Sequence, residues 1–274
     1  MKVHHYTTID TLELILMNRT IRLNRLDYVD DKQESELIAH RHWAKFIFVS
    51  SWTANEHESR SMWDYSGLNG VMISLPKFPF KKYQLNSKQE MMLSVGDGTS
   101  SPVPFERMYN KKWMFVIPPL IEEIYGNNVE YDPDPTRLVG VHRIDENDDH
   151  HFSLGKELAR IKDIAWKYQE EYRYVFVIVP IDAEAFQKWQ NTGNSEEFFR
   201  SGLTNFIRGS DTTLDYFDVE LDDSLESIHV TFGPQCSTNE KKRVENLIAQ
   251  YASAGTTSES RLTGKLQEPK RRRL

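Results

Sequence analysis

The sequence predicts an α+β fold, in which β-strands and amphipathic helices are interspersed along a chain of 274 residues. Two kinds of pattern predict it. Runs rich in β-branched and aromatic residues at 46–53 and 174–179 indicate buried strands, and apolar residues at helical spacing in 9–16 and 244–251 indicate helices. Hydrophobic residues make up 39% of the chain and aromatic residues 12%, which is enough for a packed core.

The first elements are predicted to be a strand, a helix and a strand. Residues 2–6 favour a strand, and Thr7 with Asp10 three residues later resembles a capping box that starts a helix. Residues 20–26 alternate between apolar and polar side chains and predict an extended segment, and residues 30–45 predict a helix. Residues 46–53 and 70–75 predict two further strands, the second stopped by Pro76.

The middle of the chain, about residues 76–154, is less regular. It is rich in Pro and contains Gly96 and Gly98, and it predicts a helix near residues 105–124 and a strand at 138–144. We interpret this segment as an elaboration of one domain, because strand-like sequence stands at both of its ends.

The last third predicts clearer elements. The strand at 174–179 ends at Pro180, and a helix begins after Asp182. Residues 228–232 predict a strand, and Ser237 with Glu240 forms a capping box before an amphipathic helix. Residues 211–226 contain seven acidic residues and no basic one, which is typical of a solvated loop or edge face.

The sequence predicts one domain, residues 1–253, followed by a tail. Residues 254–274 have no apolar period and carry six basic against two acidic residues, so we expect a disordered basic tail. Such a tail is either a solvated chain end or a contact for nucleic acid or a partner protein.

Composition excludes several classes of protein. The net charge of −7, from 34 Lys+Arg and 41 Asp+Glu, argues against a purely electrostatic nucleic-acid binder, although a local basic groove stays open. No apolar run reaches about 18 residues and the N-terminus lacks a signal-peptide pattern, so we expect a cytoplasmic protein with no membrane contact. The single Cys236 excludes an internal disulfide framework.

Several catalytic motifs are absent. The chain has no P-loop, no dinucleotide-binding glycine fingerprint and no Gly-x-Ser-x-Gly elbow. His40 and His42 are two residues apart, which places them on different faces of a helix, and residues 148–151 lack the spacing of a ligand set. We therefore predict no metal site.

Three polar clusters are candidates for chemistry. The first, at residues 5–7, stands at the end of the first strand, where a histidine can bind a ribose hydroxyl. The second, at residues 50–53 and 62–67, supplies aromatic faces for a flat cationic ring, although such residues also form cores. The third, Gln169, Glu171 and Arg173, shares one face of a strand and forms either an ordinary ion pair or a site for a sugar.

In this order the clusters resemble a widespread bacterial domain family of uncharacterised function. The shared blocks are His-Tyr-Thr at 5–7, Ser-x-Trp-Thr at 50–53, Met-Trp-x-Tyr at 62–65, Gly-Val-x-Ile at 70–73 and Glu-Tyr-Arg at 171–173. The resemblance covers about residues 3–251, and the first and last blocks are its specific parts. The sequence departs from it in two places: the segment that is usually Asn-Asp-Pro-x-Glu is here Asp-Asp-Lys-Gln-Glu at 30–34, and a usual Glu is here Gln169.

That family is similar, more distantly, to ADP-ribosyltransferases, including toxins that modify DNA. The resemblance implies a mostly antiparallel, split β-sheet core flanked by helices, with NAD as substrate and no metal. By position, His5 matches the histidine of the first strand, and Glu171 matches the catalytic glutamate, with Gln169 two residues before it. The catalytic set is then His5, Gln169 and Glu171, and the implied NAD-binding set is His5, Tyr6, Thr7, Arg22, Ser51, Trp52, Trp63, Tyr65 and Arg173.

The resemblance implies cleavage of the nicotinamide–ribose bond. Glu171 would stabilise the positive charge that develops on the ribose, His5 would hold the ribose, and Tyr65 or Trp52 would cover the nicotinamide. Arg173 or Arg22 would bind the pyrophosphate.

Three interpretations stay open at this point. The first is a mono-ADP-ribosyltransferase that modifies nucleic acid or protein, as a toxin or phage-defence effector with an antitoxin or inhibitor as partner. The second is an NAD glycohydrolase on the same fold, and the third is a binding module without catalysis. A nuclease is disfavoured because the sequence has no convincing metal-ligand cluster.

Overall fold

The structure is a computed structural model, and it describes residues 2–37, 41–93, 95–116, 118–120, 125–135, 142–144, 150–152 and 158–266. It is a mixed α+β protein with a mostly antiparallel, open sheet and helices, as the sequence predicts. Within these ranges, no helix combines the length and the apolar character needed to cross a membrane.

The strands of the described ranges are β1 (Lys2–Thr7), β2 (Thr20–Arg25), β3 (Ile47–Thr53), β4 (Val71–Pro76), β5 (Tyr83–Gln84), β6 (Ser100–Ser101), β7 (Trp113–Phe115), β8 (Gly126–Asn128), β9 (Glu130–Asp132), β10 (His142–Ile144), β11 (His150–Phe152), β12 (Ile161–Asp163), β13 (Glu171–Pro180), β14 (Tyr216–Glu220), β15 (His229–Phe232) and β16 (Thr256–Glu259).

The α-helices of the same ranges are α1 (Ile9–Asn18), α2 (Lys32–Leu37), α3 (Arg60–Ser66), α4 (Ser87–Leu93), α5 (Phe105–Met108), α6 (Ala183–Thr192), α7 (Glu196–Arg208) and α8 (Thr238–Tyr251). Short 3₁₀ turns lie at Leu26–Tyr28, Arg41–Phe46, Ile164–Gln169 and Asp223–Ser227.

The main sheet has the strand order β14-β2-β3-β1-β4-β15-β16, and β13 adds to it through β3. β13 pairs with β3 along the whole of β3, from Glu171 opposite Thr53 to Val177 opposite Ile47. All of β13 except its last residue is buried, which explains the apolar run at 174–179 that follows Glu171 and Arg173. Most pairs are antiparallel; β15 with β16 and β9 with β12 are parallel.

The second edge of β3 is divided between two strands. β1 pairs with it at one end, where His4 lies opposite Thr53, and β2 pairs with it at the other end, where Asn24 lies opposite Val49. The chain between β1 and β2 is α1. The sheet therefore opens into a gap between β1 and β2, in the middle of β3.

The local sequence explains α1. Thr8, one residue after the predicted position, caps the helix by accepting the Thr11 N–H at 3.1 Å. The apolar face that the sequence predicts is buried: Ile9, Leu12, Ile15 and Leu16. The helix ends at Arg19, which adopts a left-handed conformation with φ 53° and lets β2 begin at once.

The capping box of the last helix is confirmed. Ser237 accepts the Glu240 N–H, and the Glu240 carboxylate accepts the Ser237 N–H at 2.8 Å. α8 buries Val244, Leu247 and Ile248 and packs against α1. The acidic segment 211–226 contains β14, which lies at one edge of the main sheet.

Two predicted helices are wrong in their extent. The segment 30–45 divides into α2 and the 3₁₀ turn Arg41–Phe46. The predicted helix at 105–124 stops at Met108, because Trp113–Phe115 pairs with β13 as β7; the predicted strand at 138–144 is described only at His142–Ile144. α7 was not predicted, although it buries Phe198 and Phe206.

The prediction of a disordered tail from residue 254 is wrong for residues 254–266. Thr256–Glu259 forms β16 and pairs with β15 at the edge of the main sheet. Ser260 and Arg261 then bind Glu58, with the Arg261 N–H 2.7 Å from Glu58 Oε1. The segment has no apolar period because β16 is an edge strand held by backbone hydrogen bonds. Residues 267–274 lie outside the described ranges.

We predict that Thr256→Pro lowers stability more than Thr257→Pro does. The Thr256 N–H donates to Ile228 O at 3.0 Å, and proline has no N–H to donate. Successive N–H groups of a strand point to opposite edges, so Thr257→Pro is the matched control. Urea unfolding should show a loss of about 1–3 kcal/mol for Thr256→Pro alone. Equal curves for both variants would contradict the assignment of β16.

Candidate functional site

A cavity of about 620 Å³ lies at the gap between β1 and β2. Its walls come from β1, α1, β2 and β3, and from a second group of residues near the start of β13. His5 and Glu171, which are 166 positions apart in the chain, both line it. The volume falls in the range of about 300–1,000 Å³ that is typical of small-molecule sites.

His5 is held as a neutral hydrogen-bond acceptor. Its Nδ1 donates to the carbonyl of Ser51 at 2.8 Å, because a carbonyl can only accept. Burial lowers the pKa of His5, although the Ser51 carbonyl acts in the opposite direction. With the proton on Nδ1, Nε2 carries the lone pair. His5 can therefore accept a hydrogen bond from a ligand hydroxyl.

Trp52 lines the cavity and packs against His5. Its ring is 2% exposed and lies 5.0 Å from the His5 ring at an angle of 33°, and its Nε1 donates to Ser50 Oγ at 3.1 Å. Ser51, next to it, is exposed and lines the cavity. The middle-strand cluster predicted from the sequence is thus present at residues 50–52.

Tyr65 and Gln169 form the other side. The Gln169 side-chain amide donates to the Tyr65 hydroxyl at 3.2 Å, and that hydroxyl lies 3.0 Å from the hydroxyl of Tyr168. Tyr65 is 45% exposed, so its ring is open to a ligand at the mouth. Trp166, on the same 3₁₀ turn as Gln169, also lines the cavity.

The predicted alignment of Gln169, Glu171 and Arg173 on one strand is only partly correct. Glu171 and Arg173 do share a face of β13, but Gln169 ends the 3₁₀ turn Ile164–Gln169. Glu170 between them adopts a left-handed conformation with φ 43°. This turn still brings the side chains of Gln169 and Glu171 to a common partner, Lys162.

Glu171 belongs to a buried network of two acidic and two basic residues. Lys162 binds Glu171 Oε2 at 2.8 Å and Glu34 Oε1 at 2.9 Å. Arg173 binds Glu171 Oε1 through Nε at 2.5 Å and holds both Glu34 oxygens through Nη1 and Nη2, at 2.9 and 3.1 Å. All four side chains are at most 7% exposed.

The network keeps Glu171 ionised. Burial by itself would raise the pKa of Glu171, but the charges and hydrogen bonds of Arg173 and Lys162 outweigh burial and lower it to about 2. Burial and the Arg173 charge lower the pKa of Lys162, against the attraction of the acids. The negative charges are paired inside the protein, which is the condition for burying them at all.

Three residues of this region were not predicted as site residues: Asp31, Glu34 and Lys162. A signal for two of them was in the sequence. Within residues 30–34, Asp31 and Glu34 are the positions that agree with the Asn-Asp-Pro-x-Glu pattern, and these two are buried. Lys162 stands in a three-residue strand with no distinctive motif, so no sequence signal marked it.

Three predicted residues have other principal contacts. Trp63 is fully buried, packs edge-on against Tyr6 and donates to Glu58, and it does not line the cavity. This position is incompatible with its predicted contact to NAD. Thr7 is also buried away from the cavity. Tyr6 does line it, but its hydroxyl accepts the Ser59 N–H at 3.2 Å.

The two arginines predicted to bind the pyrophosphate differ in access. Arg173 is 1% exposed and its guanidinium is occupied by Glu34, Glu171 and the Ala159 carbonyl, so the structure does not leave it available. The Arg22 side chain is 49% exposed, lines the cavity and stacks on Tyr216 with its Cζ 3.5 Å from the ring centre. Asp218 binds it through two hydrogen bonds of 2.8 and 2.9 Å.

In the part of the chain that the structure describes, no group of three or more His, Cys, Asp or Glu side chains is placed to hold a metal ion.

Comparison of the chain with family models, curated proteins and solved structures gives no match. The resemblance drawn from the sequence motifs therefore stays a prediction, and the site has to be interpreted from its own geometry.

We predict that Lys162→Met lowers the free energy of unfolding by about 3–5 kcal/mol at pH 7, because it leaves a buried acid without its partner. Lys188→Met is the matched control: the Lys188–Glu197 pair is more than half exposed, so we expect a change below about 1 kcal/mol. Urea unfolding measures both.

The loss of unfolding free energy in Lys162→Met should become smaller at acidic pH. In the wild type, the stability that Glu171 contributes is present above its unfolded pKa of 4.5 and is lost as the pH falls through the folded pKa of about 2. Lys162→Met removes part of this dependence, so the two unfolding free energies should converge between about pH 4.5 and 2. A constant difference across this range would contradict the proposed pairing.

Proposed function

We propose that this protein binds NAD at the gap between β1 and β2 and transfers ADP-ribose from it to a macromolecule, either nucleic acid or protein. One observation carries the proposal: His5, Trp52, Tyr65 and Glu171, from distant parts of the chain, line one cavity at the split in the sheet. A split, mostly antiparallel sheet with a cleft between its halves is also what the resemblance to ADP-ribosyltransferases implies.

The chemistry that the cavity supports begins with binding of the nicotinamide ribose. His5 Nε2 accepts a hydrogen bond from a ribose hydroxyl, and the Tyr65 ring, open at the mouth, packs on the nicotinamide. Arg22 is the exposed guanidinium of the wall, and it would exchange its contact with Asp218 for the pyrophosphate. Trp52, which is 2% exposed, supports His5 from below.

The bond between ribose C1′ and nicotinamide N1 then breaks, and its electron pair leaves with nicotinamide. The ribose gains oxocarbenium character, as in glycoside cleavage, and an ionised carboxylate nearby stabilises it. The acceptor attacks C1′ and releases a proton. Glu171 is ionised, and each of its oxygens keeps acceptor capacity beyond the one ion pair that it makes with Arg173 or Lys162.

A binding module without catalysis is a second candidate, and the same network favours it. Both Glu171 oxygens are held in ion pairs, and the side chain is only 3% exposed. A carboxylate held in this way contributes to the structure of the wall whether or not it contacts a ribose. An NAD glycohydrolase differs from the transferase only in the acceptor, which is water. A role as a toxin or in phage defence stays a prediction from the resemblance.

We predict that Glu171→Gln slows nicotinamide release from NAD by about 10²–10³-fold, because it removes the carboxylate charge at the ribose. Release is measured in single turnover, with labelled NAD and with DNA, RNA and protein as separate acceptors. Glu184→Gln, which changes an exposed residue of α6, is the control and should keep the wild-type rate.

The products separate the candidates. Label on a macromolecule supports the transferase, free ADP-ribose supports the hydrolase, and saturable NAD binding without nicotinamide release supports the binding module. A folded Glu171→Gln variant with the wild-type rate would remove Glu171 from the mechanism. If that variant does not fold, His5→Ala tests the same cavity, because it removes the acceptor on β1 and leaves the ion pairs intact.

A further inference from the structure

Asp31 has a buried oxygen without a hydrogen-bond partner in the described part of the protein. The residue is 8% exposed and lines the cavity. Its Oδ1 accepts the Gln33 N–H at 2.9 Å, which shapes the start of α2, but its Oδ2 is buried and accepts nothing. An unpartnered buried acceptor is costly, and native proteins retain few of them.

The neighbouring network does not satisfy this oxygen. The Lys162 ammonium is attracted to the Asp31 charge, but it donates hydrogen bonds to Glu171 and Gln169 and forms an ion pair with Glu34. None of these contacts involves Asp31 Oδ2, which has no hydrogen-bond partner. Asp31 Oδ2 therefore keeps an unused acceptor position beside the candidate site; the atom has almost no accessible surface, so a ligand in the cavity reaches it only after the Asp31 side chain turns toward the cavity.

The chemistry of a partner for Asp31 follows from the acceptors around the cavity. A carboxylate oxygen accepts hydrogen bonds, and His5 Nε2 is also an acceptor, because Nδ1 carries the proton. A ligand that satisfies both has to offer at least two O–H or N–H donors. The phosphates of NAD offer none, whereas each ribose carries two neighbouring hydroxyls.

We propose that Asp31 Oδ2 accepts a hydrogen bond from a ribose hydroxyl of the bound ligand and that Asp31 thereby selects ligands with an intact ribose diol. This inference rests on the proposed function for the choice of NAD. It adds a ligand-binding residue on the loop before α2, the helix that supplies Glu34 to the buried network.

The test measures binding of a carbocyclic NAD analogue, which is not cleaved, and of its counterparts lacking the 2′- or the 3′-hydroxyl on the nicotinamide side. Two variants remove Oδ2 and keep an oxygen that can cap the Gln33 N–H: Asp31→Asn and Asp31→Ser. Asp97→Asn, at an exposed position outside the cavity wall, is the matched control. Circular dichroism confirms that each variant is folded.

We expect both Asp31 variants to bind the full analogue about 10–100-fold more weakly than the wild type, as for a hydrogen bond to a charged group. The penalty should disappear for the one deoxy analogue that lacks the partner hydroxyl. Unchanged affinity in both variants overturns the inference while leaving NAD binding in place. A penalty that is the same for all three analogues overturns the ribose assignment. Absence of any binding to the wild type overturns the proposed function as well.

Discussion

The site depends on the way in which two strands, β1 and β2, pair with the same edge of β3. One edge of β3 is filled by β13 along its whole length, and the other is divided between β1 and β2. Because α1 connects β1 to β2, the two strands meet β3 at different ends and a gap stays open between them. The gap exposes the middle of β3 and the end of β1, and so places residues 5 and 49–52 around one cavity.

The buried ion pairs decide what this cavity can do. Lys162 and Arg173 neutralise Glu34 and Glu171, which lets two carboxylates be buried here, and one of them, Glu171, lines the cavity. The same ion pairs keep the Glu171 carboxylate ionised. They also restrain its side chain, so it has little freedom to move. Asp31 lies beside this network with one unsatisfied oxygen. The wall therefore offers acceptors at His5 and Glu171 and a donor at the Arg22 guanidinium.

The sequence predicts local features well and long-range ones poorly. Strands β1, β3 and β13 and helices α1 and α8 were predictable because their apolar periods and caps are local. β16 was not, because an edge strand held by backbone hydrogen bonds leaves no apolar pattern. His5, Trp52 and Glu171 were found through a motif order, whereas Lys162 acts through partners 9 and 128 positions away and no local pattern encodes such contacts.

The proposed function requires a nucleotide to bind in the gap between β1 and β2. A crystal structure of the protein grown with the carbocyclic NAD analogue tests it most directly. We expect density for the nicotinamide-side ring in the gap, with a hydroxyl within hydrogen-bond distance of His5 Nε2 and the pyrophosphate toward Arg22. An analogue bound elsewhere on the protein, with this cavity filled by water alone, would contradict it.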